Sequence, residues 1–235
     1  MKLFEVSEAS KTITTPYPSP AILLQAAKEM PRVEKESFLR LWLSEGIPFA
    51  FRSNPMLYEK IRDWMGSRLR VHPKVVTLIG SARIGYSLAA YPKYGRPFGD
   101  GSDLDFSVVQ NELFRDLAND FSRWESDMAK GLVKPRGKAE ERYWPENLNL
   151  LPYNINSGFV DAYKIPTLNR YPVVQRVVDT QGLLKGYLKA IPNLPVDHPA
   201  SIRVYRDWGA FVAQLYLNFS FAVASVVKRE STPSD

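Results

Sequence analysis

The sequence predicts an α+β fold, a small mixed β-sheet flanked by N-terminal helices and a C-terminal helical lobe. Three observations carry this expectation. "KVVTLI" at 74–79 is a short β-branched run that ends on Gly80 and Ser81. "DLDFSVV" at 103–109 alternates polar and apolar residues, and "SGFVDAYKI" at 157–165 offers a third extended run. Between and around these runs, apolar residues recur at helical spacing. The chain has 235 residues and is 45% hydrophobic, enough to bury a sizeable core in one compact domain or two small lobes around a cleft. The reading divides it into a lead-in and helical layer (1–73), a catalytic core (74–165) and a C-terminal helical lobe (166–235).

Taken in order, residues 1–20, which end in "TTPYPSP", read as an extended lead-in without a core of its own. "PAILLQAAKEM" and "EKESFLRLWLSEG" have helical spacing. A third helix follows "RSNP", with Asn54 as cap, Pro55 near the start and Leu57, Ile61, Trp64, Met65 and Leu69 on its apolar stripe. After the first strand, "ARIGYSLAAY" continues as a helix, and the glycines and prolines of "PKYGRPFGDGS" make a loop. "NELFRDLANDFSRWESDMAKG" is amphipathic through Leu113, Leu117, Phe121, Trp124 and Met128. Residues 131–157 read as a long irregular link, and "VVQRVVDTQGLLKGYLKAI" and "SIRVYRDWGAFVAQ" as two closing helices. The run 209–227 carries no charge and is long enough to span a bilayer. Gln214, Asn218 and Ser225 share one side of it and Trp208, Phe211, Leu215, Phe219 and Val223 another, so a buried amphipathic helix is expected and a membrane partner is not.

Composition narrows the chemistry. The chain contains no cysteine, which excludes disulfides and thiolate metal sites, and two histidines, His72 and His198, which are too few for a histidine-rich zinc centre. A metal would therefore be held by oxygen, which favours Mg2+ or Mn2+. Thirty-one Lys and Arg against 25 Asp and Glu leave a formal charge of +6, a moderate attraction for phosphates. The first residues, "MKLFEVSEASKTITT", contain no long apolar run, and a cytoplasmic location is expected.

Asp103 and Asp105 concentrate the question of function. Alternate strand residues share a face, so these carboxylates stand side by side while Leu104, Phe106 and Val108 form an apolar row opposite. Two like charges at that spacing raise each other's proton affinity unless a cation lies between them. Gly80 lets a phosphate approach the main chain, Ser81 and nearby amides can hold a triphosphate tail, and Arg83, one turn on, can point at the same anion.

"LIGS" at 78–81, "GSDLDF" at 101–106 and "GFVDAY" at 158–163, in that order, resemble the DNA polymerase β-like nucleotidyltransferase superfamily, most of all its small bacterial template-independent members: the cyclic-oligonucleotide synthases and minimal nucleotidyltransferases. The resemblance covers 74–165. It implies a polymerase β-like core in which Asp103, Asp105 and Asp161 bind two Mg2+ or Mn2+ ions and act as catalytic residues. It further implies that Gly80, Ser81, Arg83 and Ser102 bind a nucleoside triphosphate, with ATP expected. The implied reaction passes the nucleotide to a hydroxyl of a second nucleotide, an oligonucleotide end or a partner protein, with release of pyrophosphate. An oligonucleotide signal in bacterial antiviral defence is one implied product, and antitoxin-type adenylylation of a partner protein is the alternative. A degenerate, non-catalytic nucleotide sensor is the reading from another class. Glycosyltransferases and haloacid-dehalogenase-type phosphatases also use Asp-x-Asp, but match less well. The interval 82–102 is longer than is usual in the superfamily, and its loop "YPKYGRPFGDG" is either a substrate-facing insertion carrying Lys93 and Arg96 or a solvated loop.

Other features stay open between function and plain structure. Lys130, Lys134, Arg136, Lys138 and Arg142 form either a groove for an acidic acceptor or a solvated face. Tyr143, Trp144 and Tyr153 either stack on a base or anchor a loop. Arg203 and Arg206 either meet phosphate or pair with Asp207 or Asp197, and His72 and His198 are read as structural.

Overall fold

A computed structural model describes residues 4–99, 101–190 and 200–231; Asp197 and His198, with the roles considered for them, lie outside the described residues. The protein is α+β and mostly helical, with a four-stranded mixed sheet. In chain order the described residues form α1 (Glu8–Lys11), α2 (Pro20–Glu29), α3 (Arg32–Ser44), α4 (Pro55–Leu69), β1 (Val76–Ile79), α5 (Ser81–Ile84), β2 (Leu104–Val109) and α6 (Asn111–Ala129). There follow α7 (Lys138–Asn156), β3 (Phe159–Asp161), α8 (Pro172–Lys189), β4 (Ala200–Tyr205) and α9 (Trp208–Glu230).

The sheet order is β1-β2-β4-β3, with β2 and β4 parallel and both edge strands antiparallel to their neighbours. The two-residue period of each strand sorts its side chains. Leu78, Phe106, Val160, Ile202 and Val204 face a core supplied by α4, α6, α7 and α8, where Met65, Leu117, Trp124, Leu151 and Val177 are buried. Val109, Phe159 and Tyr205 face a second core made with α2, α3 and α9 through Leu23, Phe38, Leu39, Phe211 and Phe219. Helix ends are set locally. Asn54 accepts a hydrogen bond from the Leu57 amide with Pro55 in the first turn, as the sequence predicts. Asp120, buried on α6, accepts from the amides of Val173 and Val174 at 2.8 and 3.1 Å and so caps α8 from a neighbouring element.

Four expectations are corrected. The segment "SIRVY" is strand β4 at the centre of the sheet, not the start of a helix, so the sheet draws on the chain beyond 165. Its Ile202 and Val204 alternate with Ser201 and Arg203, a strand pattern masked by the long helical run that follows. The helix expected over "ARIGYSLAAY" stops at Ile84, because Gly85 takes φ +97° and packs so close to Phe49 that a Cβ would lie 2.8 Å from its ring. Much of the link at 131–157 is helix α7, which accommodates Pro145 and Pro152 while burying Trp144 and Leu151. The lead-in contains α1, whose Ala9 and the following Ile13 are buried in the second core.

Among the described residues one helix, α9, is long and apolar enough to cross a membrane, with 33% of its most apolar window buried. Phe211, Leu215, Phe219 and Ala222 pack inward, Gln214 bonds Asn218 at 3.1 Å, and Leu217 and Phe221 are exposed.

Phe106 is fully buried, and Phe106→Ala is expected to cost about 3–5 kcal/mol in urea unfolding. Leu217→Ala, on the exposed side of α9, should change stability by no more than about 0.5 kcal/mol.

Candidate functional site

The antiparallel β1–β2 register pairs Ile79 with Asp105, which delivers Gly80 to the acidic end of β2. Gly80 has φ +69° and ψ −152°, a conformation all but closed to side-chain-bearing residues, and a Cβ there would lie 3.2 Å from Asp105 Oδ2. The absence of a side chain is thus what allows the turn to lie against the carboxylate. Asp103 is exposed just before β2, and Asp105 is half-buried within it.

Beside Asp105 runs the polar side of β4. Ser201 Oγ donates to Asp105 Oδ1 at 2.8 Å. Two residues on, Arg203 grips Asp161 of β3 with both arms, Nε to Oδ1 at 2.7 Å and Nη2 to Oδ2 at 3.2 Å. Lys164 lies 3.5 Å from the same carboxylate, and the Arg203 guanidinium sits over the Phe159 ring at 4.7 Å. Burial raises the Asp105 pKa; the Ser201 hydrogen bond opposes this, Asp103 adds to it and Arg203 offsets it. Burial works against the charge of Arg203, yet the bonds and charge of Asp161 outweigh it and the pKa is raised. Tyr163, on the turn after β3, has its pKa raised by burial and then by Asp161.

These groups open into a cavity of about 880 Å3. Its floor includes Gly80, Ser81, Ser102, Asp103, Asp105, Asp161 and Arg203, so seven residues drawn from the four strands and their turns share one space. The facing wall comes from the 87–97 loop, with Lys93 and Arg96, and from α9, with Asn218 and Phe221. The loop is tied down by a Tyr94 hydroxyl bond to the Pro20 carbonyl at 3.1 Å and by a Tyr91 amide bond to Ser225 Oγ at 2.9 Å. Lys93 and Arg96 line the cavity while remaining exposed to solvent.

Two expectations about the site are corrected. Arg83 does not reach the cavity: its buried guanidinium donates to the carbonyls of Trp42, in the last turn of α3, and Gly46, just beyond it, at 3.1 and 3.0 Å. The three aspartates do not converge. β4 separates Asp161 from Asp105, which at ordinary strand spacing puts their Cα atoms on the order of 12 Å apart. Among the described residues no group of three or more His, Cys, Asp or Glu is placed to hold a metal ion. Asp103 and Asp105 fit one oxygen-bound cation between them; Asp161, both of whose oxygens face cations, does not fit a shared metal cradle.

The remaining features lie outside this cavity. Lys130, Lys134, Arg136, Lys138 and Arg142 do not line the cavity, and Arg136 pairs with Glu140 at 2.7 Å. Trp144 is buried edge-on against Trp124 at 5.6 Å, while Tyr143 and Tyr153 are exposed on α7 away from the cleft. Arg206 pairs with Asp207 at 2.8 Å, and His72 accepts the Lys74 amide through Nδ1. Ser201, Gln181 and Tyr163 line the site without having been singled out; for Ser201 the signal was the alternation in "SIRVY". Gln181 accepts the Ile202 amide at 3.2 Å, a contact no local pattern announces. No family model, curated protein or solved structure matches this chain.

Arg83→Met should lower stability by about 1–3 kcal/mol, since two carbonyls lose their donor; denaturant unfolding checks this. The folded state holds the Asp105 proton more tightly than the unfolded chain does, where a carboxylate titrates near ~3.9. This group therefore stabilises the fold below that pH, and its contribution is lost as pH rises through the raised folded value. Asp105→Asn is expected to melt higher than the parent at neutral pH without added metal, the gap closing as pH falls toward ~4.

Proposed function

We propose that the chain is a nucleotidyltransferase of the DNA polymerase β-like type, which uses a divalent metal to move a nucleoside monophosphate from a nucleoside triphosphate, ATP first, to a hydroxyl. The observation that carries the reading is the seating of Gly80 against Asp105, with Ser81 and Asp103 beside them in one cavity. It joins two of the three motifs on which the resemblance rests; the third, with Asp161, stands across β4 from them. The cavity, at about 880 Å3, lies within the range that takes a nucleotide-sized ligand.

Asp103 and Asp105 would hold Mg2+ or Mn2+, and such an ion supplies neutralisation of charge developing on the phosphoryl group. The chain's own residues do the rest. Gly80 and Ser81 offer close main-chain approach and a hydroxyl to the phosphates, and Lys93 and Arg96 add positive charge from the facing loop. The acceptor oxygen forms a bond to the α-phosphorus as the bond to pyrophosphate breaks, and the acceptor proton leaves to solvent or a neighbouring base. The acceptor is a second nucleotide or oligonucleotide end, which would make a signal of the antiviral type, or a partner protein's side chain.

A second reading, a nucleotide sensor without transfer, is favoured by one observation, the engagement of Asp161 by Arg203 and Lys164. Incubation with each of four α-labelled nucleoside triphosphates and Mg2+ or Mn2+ separates the two. Labelled oligonucleotide or protein is expected, and Asp103→Ala or Asp105→Ala should abolish it. Saturable binding with no labelled product would replace the transferase with the sensor, and product formed at the parent rate by both variants would remove this site from the reaction.

A further inference from the structure

We propose that Arg203 is a phosphate-binding residue of this cavity and that Asp161 is its anchor, a positioning residue rather than a metal ligand. The proposal rests on the reading of the cavity as a nucleotide site and assigns the end of that site at which the polyphosphate is held.

The charge around Asp161 has the wrong sign for a metal. Its side chain is only 4% exposed, and two cations, Arg203 and Lys164, stand against its single negative charge, a net of +1. A dication placed there would displace both or be repelled by them. The same arrangement suits an anion. Arg203 is fixed at two points by the carboxylate and in its plane by the Phe159 ring beneath it. A guanidinium has five N–H donors, of which the carboxylate takes two and the Tyr205 side chain engages another. The side chain is 32% exposed and lines the cavity, so part of the fork stays open to a ligand there. Orienting a guanidinium in advance lowers the ordering cost of binding a phosphate.

The position along the strand is also informative. Ser201 bonds Asp105, and Arg203 stands two residues further along β4, roughly 7 Å away. The floor of the cavity therefore runs from an acidic end, Asp103 and Asp105 beside Gly80, to a basic end at Arg203, with Lys93 and Arg96 on the wall opposite. A nucleoside polyphosphate, whose charge is spread along a short chain of phosphoryl groups, is the ligand class that uses both ends. A single carboxylate or a lone phosphate would leave one end without a partner.

Two measurements on the full chain test this. Inorganic tripolyphosphate is titrated in the presence of EDTA by calorimetry. Asp161→Asn keeps the guanidinium but removes the carboxylate that fixes it, so it should bind several-fold more weakly than the parent and more tightly than a variant without the guanidinium; affinity equal to the parent's removes the anchoring role. The neutral pair Asp161→Asn with Arg203→Gln should bind about tenfold or more weakly. Equal affinity in the single and double variants, or no binding by the parent, overturns the proposal. Should the double variant fail to fold by circular dichroism, Arg203→Lys decides, because it keeps the charge and loses the fork: several-fold weaker binding supports the proposal and unchanged binding overturns it. In the second measurement, Mn2+ binding is followed by electron paramagnetic resonance. Asp161→Asn should stay within about twofold of the parent while Asp103→Asn and Asp105→Asn lose about tenfold or more. A loss in Asp161→Asn equal to theirs makes it a ligand and overturns the proposal. Tripolyphosphate binding through Arg203 with no transfer from any nucleotide removes the transferase reading and leaves this inference standing.

Discussion

The structure depends on the insertion of β4 between β2 and β3. That strand pairs in parallel with the Asp-x-Asp strand on one side and antiparallel with the Asp161 strand on the other. Its two-residue alternation continues the sorting begun by its neighbours, Ile202 and Val204 into the larger core, Ser201 and Arg203 into the cavity. A slip of one residue would reverse all of these assignments, placing a guanidinium in the core and exposing two β-branched side chains. The face packed by α4, α6, α7 and α8 therefore fixes the register on which the cavity relies, while Val109, Phe159 and Tyr205 pack the rest of the cavity face against the second core and leave only part of it wet.

On the wet face, electrostatics explains what each polar group does. Asp105 is half-buried beside Asp103, a costly arrangement that Ser201 relieves only in part, so the acidic end favours any ligand that brings positive charge. At the other end the buried Asp161 is over-compensated by Arg203 and Lys164. The two ends thus differ in sign although each contains carboxylates, and it is the cations from β4 and the turn after β3 that make the difference. Elsewhere in the fold, buried acids serve structure alone: Asp120 caps α8, and Asp127 bonds Arg170 and Tyr171.

What could be read from the sequence was what is local. The Leu104, Phe106 and Val108 row, the Asn54 cap and the stripe of α6 follow from periods of two and of three to four and from local capping. What escaped was what neighbours in space decide. "SIRVY" becomes a strand because β2 and β3 present open edges on either side of it, and α7 keeps its prolines because Trp144 and Leu151 are buried by other helices. Arg83 and Arg203 make the point as a pair. Both were visible as cations open to a phosphate role, Arg83 beside Gly80 and Ser81 and Arg203 ahead of the last helix, yet one was taken up by carbonyls at the end of α3 and the other was turned into the cleft by a carboxylate two strands from Asp105.

The tethering of the 87–97 loop carries a consequence for how the cleft comes into being. Tyr94 is tied to Pro20 and Tyr91 to Ser225, so the wall opposite the sheet joins chain regions that lie near the two ends of the protein. Closing such long circuits is entropically slow, and contacts of this kind form after the local helices. The cleft is then among the last features to assemble, and a ligand that recognises only the finished cleft draws its affinity from the whole chain. Such a ligand would raise the melting temperature of the entire molecule in proportion to the logarithm of its concentration, at terminal helices as much as at the sheet.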